Sequence, residues 1–89
     1  MTDHLKTILD ACCNTFGVTI AEVKSPSLRH EVSYCRRAFA HLAKENLPVS
    51  NKTIGAFINK SANAIQHINN TEIYDNKFKR ILNDIKSKL

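Results

Sequence analysis

The chain has 89 residues, of which 43% are hydrophobic and 24% charged, a composition typical of a folded chain and not of a disordered one. We expect one domain over residues 1–89, too small for a catalytic domain with a second lobe. The formal net charge of +5 favours a polyanionic partner such as nucleic acid. No run of about 18 apolar residues occurs, and the N-terminus lacks a signal-peptide pattern. We therefore expect no membrane span and a cytoplasmic protein.

Apolar residues recur every three or four positions, and the chain has only two glycines and two prolines. This pattern predicts an all-α fold, a compact bundle of five helices plus one short helical turn. The first helix is predicted over residues 3–16, with Gly17 as its C-terminal stop. Thr19 is the predicted N-cap of the short turn, residues 20–24.

The second and longest helix is predicted to begin with Ser25 or Ser27 as its N-cap. Its predicted buried stripe consists of Leu28, Val32, Cys35, Phe39, Leu42 and Asn46. Measured around the helix from the start of this stripe, Arg36 lies at about 80°, Arg29 at about 100° and Arg37 at about 180°. The glutamates fall on the opposite flank, so the helix is predicted to carry a separate basic flank.

The segment IGAFINKSANAIQHINN, residues 54–70, predicts a helix-turn-helix. Ser50 is the predicted N-cap of its first helix. Gly55, inside that helix, costs about 1 kcal/mol relative to alanine, so we expect another helix to cross closely there. Residues 59–60 form the turn, and Ser61 is the predicted N-cap of the second helix. The two helices are predicted over residues 51–58 and 62–69.

The last helix is predicted to begin after an N-cap at Thr71. Its predicted buried stripe consists of Phe78, Ile81, Leu82, Ile85 and Leu89. Its lysines and arginine lie among aspartates, so we expect them to form an ordinary solvated face.

The three cysteines show neither a disulfide framework nor a metal-binding spacing. Cys12 and Cys13 are adjacent and Cys35 stands alone, so there is no CxxC pair. Each falls on or beside an apolar stripe, where a reduced thiol packs as a small hydrophobic group. The four histidines show no metal spacing either, and we expect no metal and no cofactor.

Catalytic patterns are missing from the sequence: there is no glycine-rich phosphate loop, no Ser/His/Asp order and no carboxylate pair in an apolar setting. We therefore expect a binding protein and not an enzyme. In a helix-turn-helix, the N-terminal half of the second helix points into the major groove of DNA. The candidate DNA contacts at this end of the helix and around it are Lys52, Lys60, Ser61, Ala62, Asn63, Gln66 and His67. The basic flank of Arg29, Arg36 and Arg37 adds three further candidates.

Each of these candidates has a specific reason and an ordinary alternative. The amide of Asn63 can pair bidentately with adenine, and Ala62 can pack against a thymine methyl group. Ser61 and Lys60 stand where a phosphate would pass. The alternative is that Ser61 serves only as a helix cap and that the other side chains are solvated surface residues.

The order of these features resembles the C-terminal DNA-binding domain of the bacterial replication initiator DnaA, in the tryptophan-repressor-like helix-turn-helix group. The resemblance is carried by VSYCRRAFAHLAKE at residues 32–45, by IGAFINK at 54–60 and by the capped helix that contains QH. The upstream FGVTIAEV is similar to the family as well, so that the resemblance covers about residues 5–70. It implies a helix-turn-helix fold and binding to double-stranded DNA.

Further implications of the resemblance concern single positions. Arg36 falls on the family arginine that enters the minor groove. Lys60 falls near the basic residue that precedes the family signature. Ser50 matches a serine before the first helix of the motif, and the resemblance makes it a further candidate DNA contact. Ser61, Ala62 and Asn63 occupy the places of the family's Asp, His and Thr, and the turn is one residue shorter than in the family. The aspartate and histidine that read bases in the family are therefore absent, and the resemblance does not imply recognition of the family's usual box.

Two functions remain open from the sequence. The first is a DNA-binding protein in replication initiation or transcription regulation, with the recognition helix in the major groove and an arginine in the minor groove. The second is a protein-interaction module that kept the fold, lost base readout, and binds a replication or transcription protein. No extra exposed apolar stripe is apparent, so we expect a monomer. The ATPase domain of the initiator is not in the sequence, so we expect a free-standing relative.

Overall fold

A computed structural model describes residues 2–27, 29–70 and 76–89, and the side chains of all of these except residues 2, 3, 69 and 70. The described chain forms six helices and no strand. In order they are α1 (Thr2–Phe16), α2 (Ile20–Lys24), α3 (His30–Asn46), α4 (Asn51–Phe57), α5 (Ala62–Asn70) and α6 (Asn76–Ser87). The all-α prediction is confirmed, with α2 as the short helical turn. Within the described ranges, a helix with the length and hydrophobicity needed to cross a membrane is not found.

Helix α3 lies at the centre of the bundle and contacts each of the other five helices. Phe39 and Leu42 on this helix are fully buried, and burial of each such side chain contributes about 1.5–3 kcal/mol to stability. The three cysteines are buried beside them, as expected. The Cys13 and Cys35 sulfurs lie 3.9 Å apart. Burial raises the pKa of Cys12 to about 12, so this thiol stays protonated and packs as an apolar group.

The predicted ends of α1 and α2 are confirmed. Gly17 has φ +68°, and the Val18 N–H beyond it donates to the Cys13 carbonyl at 3.1 Å, a closure that glycine allows at no steric cost. At α2, the Thr19 hydroxyl accepts from the Glu22 N–H, and the Glu22 carboxylate accepts from the Thr19 N–H in return, each at 3.1 Å. This reciprocal capping box fixes the start of a helix that is only five residues long.

The predicted start of the long helix is wrong. Helix α3 begins at His30, and Arg29 precedes it without a capping side-chain hydrogen bond. The Ser25 hydroxyl instead donates to the Glu22 carbonyl at 2.6 Å, at the end of α2. The Ser27 hydroxyl accepts from the Arg29 N–H. Both serines are therefore used in the turn between α2 and α3, and Leu28 lies outside the described residues.

Helix α6 differs from its prediction at the C-terminal end. Phe78 and Ile85 are buried and Ile81 and Leu82 are partly buried. Leu89 is 48% exposed, because α6 ends at Ser87 and no longer holds Leu89 on the apolar face. The predicted cap Thr71 lies outside the described residues.

Helices α4 and α5 form the predicted helix-turn-helix. The Ser50 hydroxyl caps α4 by accepting from the Thr53 N–H at 3.2 Å. The close crossing expected at Gly55 is confirmed, since a Cβ placed there would lie 2.5 Å from the Lys60 carbonyl oxygen and 3.2 Å from Ile65 Cγ1. The backbone between the two helices thus occupies the space that a side chain would need.

Replacing Gly55 with alanine tests this close approach. Alanine has the higher helix propensity, by about 1 kcal/mol, yet Gly55→Ala is expected to lower the free energy of unfolding by about 1–3 kcal/mol, because the backbone must move aside. Urea denaturation measures the difference. Ala56→Gly, at the exposed neighbouring position, is the control and loses only the propensity term. A Gly55→Ala protein more stable than wild type would contradict the crossing.

The free energy of unfolding should also depend on pH through His41. Its Nε2 is buried and has no hydrogen-bond partner among the described residues. Burial lowers the pKa of His41, and the charge of Arg37 lowers it further, against an opposing effect of Glu45. Below about pH 6.5, His41 therefore binds a proton more readily in the unfolded chain than in the folded protein. Stability should fall as pH drops through that value, and His41→Phe should remove this part of the slope in urea titrations. An identical slope in both proteins would contradict it.

Candidate nucleic-acid interface

The first turn of α5 presents short polar groups to solvent. Ser61, Ala62 and Asn63 are all exposed. The Ser61 hydroxyl caps the helix by accepting from the Ala64 N–H at 3.1 Å, as predicted. Helix geometry leaves the N–H groups of Ala62 and Asn63 without an acceptor inside the helix. This end of α5 therefore offers backbone donors, a hydroxyl and an amide side chain on one accessible surface.

The remaining residues of α5 divide into a buried and an exposed side. Ile65 is fully buried and Ile68 partly buried against the core, which seats α5 on α3 and α4. Asn63, Gln66 and His67 are exposed, and their spacing of three and four residues puts them on one face of the helix. The structure thus brings these three predicted contacts together.

Two further predicted contacts lie on and before α4. Lys52 is exposed in the first turn of α4, and Ser50 is exposed as its N-cap. Helix α4 packs directly on α5. In a docked helix-turn-helix, the first helix crosses the DNA backbone while the second enters the groove. In such a complex, α4 and its N-cap would lie beside the phosphates, and Lys52 and Ser50 would lie there with them.

Lys60 points towards the turn that follows α2. Its Nζ donates to the Ser25 carbonyl at 3.2 Å, and the residue is half-buried. Burial lowers the pKa of Lys60, and the positive charge of Arg36 lowers it further. A contact between Lys60 and a phosphate stays a prediction, and it requires Nζ to turn away from Ser25.

Arg36 is only 7% exposed. Its Nε donates to the Val23 carbonyl at 2.8 Å, and its NH1 group donates to the Ser27 carbonyl at 2.6 Å. Its NH2 group donates to the carbonyls of Glu22 and Ser25. Burial lowers the pKa of Arg36, although an arginine stays charged regardless. The minor-groove contact that the family resemblance implies stays a prediction, and it requires the guanidinium to leave these acceptors.

The other two arginines of the predicted basic flank have separate surroundings. The Arg29 side chain is 63% exposed and forms ion pairs with Glu22 at 2.9 Å and with Glu31 at 3.7 Å. Ion pairs this exposed to solvent contribute little to stability. Arg37 is half-buried, with its guanidinium carbon 6.0 Å from the centre of the Tyr34 ring. The three arginines thus do not form one continuous basic surface, and no described contact joins Arg29 or Arg37 to α5.

The carbonyl cluster around Arg36 was not predicted from the sequence. The only available signal was the short helix α2, whose last carbonyls need donors that a helix of five residues does not supply itself. A helical wheel places Arg36 beside the buried stripe, but it does not show what the neighbouring segment offers to that side chain.

Comparison with known families identifies the fold. The family model described as the bacterial DnaA protein helix-turn-helix matches residues 5–71, which run from α1 to the end of α5, whereas α6 lies beyond the match. A search of curated proteins finds no match to this chain. The match covers most of the chain and includes the whole α4–α5 motif, and its family suggests DNA binding. The protein therefore belongs to the bacterial DnaA helix-turn-helix family.

Proposed function

We propose that this protein binds double-stranded DNA and places the N-terminal half of α5 in the major groove. The observation that carries the proposal is the exposed face of Asn63, Gln66 and His67 on the second helix of a family-matched helix-turn-helix. Ile65 holds the opposite side of α5 in the core. A rigidly seated helix with short polar side chains at its N-terminal end has the shape and chemistry that the major groove accepts.

Each residue has a separate role in this proposal. Asn63 pairs with the edge of an adenine, and Ala62 lies against a thymine methyl group. Ser61 and the backbone N–H groups at the start of α5 face a phosphate. Lys52, on α4, contacts a phosphate of the DNA strand that passes beside α4. Ser50, the N-cap of α4, supports this contact.

The remaining candidates contribute less to the proposal. Arg29 already has two carboxylate partners, and Arg37 lies against Tyr34, so we propose at most long-range attraction of DNA by these two charges. The net charge of +5 acts in the same direction. We further propose that residues 1–89 act as one domain, as a monomer, in replication initiation or transcription regulation.

A specific observation supports the alternative of a protein-interaction module. Ser61 and Ala62 stand where the family has the aspartate and histidine that read bases. Without these side chains, the domain keeps its surface shape and loses two base contacts. In that case α5 would bind a replication or transcription protein, and its affinity would depend weakly on salt.

Fluorescence anisotropy with labelled duplexes separates the two functions. The duplexes are a random sequence and one that carries the recognition box of the DnaA family, each measured over a range of salt concentrations. The DNA-binding proposal predicts binding that weakens steeply as salt rises, since bound lysines release counterions from phosphates. The same titrations are run on Asn63→Ala, Lys52→Met and a matched control, Lys79→Met, on exposed α6.

The three variants should change duplex affinity and its salt dependence in different ways. Asn63→Ala should weaken binding to the preferred duplex by about 5- to 150-fold, the range of a bidentate base contact, and leave the salt dependence unchanged. Lys52→Met should weaken binding to all duplexes and reduce the salt slope by about 0.9, and Lys79→Met should change neither. If the wild-type protein binds neither duplex at low salt, the DNA-binding proposal is wrong.

A further inference from the structure

We infer that Arg36 is a positioning residue of the DNA-binding surface: it fixes the backbone of residues 22–27, and Lys60 fastens the start of α5 to that backbone. The inference rests on the proposed function. It assigns to Arg36 a role different from direct contact with DNA, and it makes Lys60 the link between two parts of the chain that are 35 residues apart.

Arg36 uses most of its hydrogen-bond donors inside the protein. A guanidinium has five N–H groups, and four of them point to the backbone carbonyls of Glu22, Val23, Ser25 and Ser27. These carbonyls belong to the last turn of α2 and to the segment after it, and that of Glu22 also accepts from the Ser25 N–H and hydroxyl. The negative end of the α2 dipole lies at the same place and favours a cation. Arg36 therefore completes the end of α2 and holds the following turn in one conformation.

Lys60 donates to one of the carbonyls that Arg36 holds. The Ser25 carbonyl that accepts from Arg36 also accepts from Lys60 Nζ, at 3.2 Å. The Lys60 backbone N–H donates to the Gly55 carbonyl at 2.7 Å. Lys60 is thus fixed to α4 through its backbone and to residues 22–27 through its side chain. The next residue, Ser61, caps α5, so the position of this link determines where the recognition helix begins.

Arg36 has little left to offer DNA. An arginine that contacts the minor groove inserts its guanidinium into that groove, so the group must be exposed on the protein surface. Arg36 has a single N–H beyond those that bind the carbonyls, and it is 7% exposed. In this arrangement the charge of Arg36 acts on the protein backbone, and its effect on DNA passes through Lys60 and Ser61.

The test compares Arg36→Lys, which keeps the charge and loses the planar fork, with Lys60→Met, which keeps the aliphatic stem and loses the charge. Arg37→Met, at the next residue on α3, is the matched control because Arg37 makes no hydrogen bond or ion pair with residues 22–27 within the described ranges. Arg36→Met is a second variant in which the charge is removed too. Two readouts are used: amide hydrogen exchange of the free proteins, and anisotropy titrations over salt with duplexes that differ by single base pairs.

We expect Arg36→Lys and Lys60→Met each to speed exchange at residues 22–27 and, within residues 60–64, at the hydrogen-bonded amides of Lys60 and Ala64, while α1 and α6 keep their protection. We expect Arg36→Lys to weaken binding to every duplex by a similar factor, about tenfold, with an unchanged salt slope. Arg37→Met should leave the exchange of residues 22–27 unchanged. If Arg36→Met loses its hydrogen-exchange protection throughout the chain, the inference is decided by the local changes in exchange in Arg36→Lys and Lys60→Met.

Two results would overturn the inference. One is exchange at residues 60–64 that Arg36→Lys leaves unchanged, because the link to α5 would then not exist. The other is a loss of affinity concentrated at one base pair, or a reduced salt slope in Arg36→Met, because Arg36 would then contact DNA itself. Failure of the proposed function is distinct: the wild-type protein would bind no duplex, whatever the exchange data show.

Discussion

The central position of α3 is the constraint on which the rest of the structure depends. Helix α3 contacts all five other helices, and the carbonyls of Ser25 and Ser27, after α2, lie within hydrogen-bond reach of it, where an unpaired backbone carbonyl is costly. Arg36 projects from α3 and supplies donors to this segment. The same helix seats α5 through Ile65. One central helix thus connects the backbone at residues 22–27 with the surface proposed to enter DNA.

Helix α5 is held tightly against the rest of the protein on its inner side and is exposed on its outer side. The crossing at Gly55 leaves no room for a side chain between α4 and the turn, so the two helices keep a fixed relation. On the outer side, Asn63 and Gln66 are free of the core and available for hydrogen bonds to bases. The family match explains the shared helix-turn-helix frame.

The sequence predicted those features that depend on neighbouring residues. The cap at Ser50 and the close approach at Gly55 follow from local rules about helix ends and about glycine, and both are confirmed. The predicted cap at Ser25 was wrong because the end of α2 uses that hydroxyl, a competition that helix periodicity does not reveal. Leu89 fits the apolar stripe of α6 by spacing, yet the helix ends before it. The surroundings of Arg36 depend on a turn 9 to 14 residues away, which no local pattern shows.

The most direct test of the account is a nuclear magnetic resonance titration of the unaltered, ¹⁵N-labelled protein with a short duplex. The account predicts that the largest changes in amide shifts fall on residues 61–67 and on the start of α4, with small changes in α1 and α6. It also predicts that the amides of residues 22–27 keep their hydrogen-exchange protection in the complex, since Arg36 stays in place. Shift changes centred on α6, or on α1, would place the DNA on another face and contradict the assignment of α5 as the recognition helix.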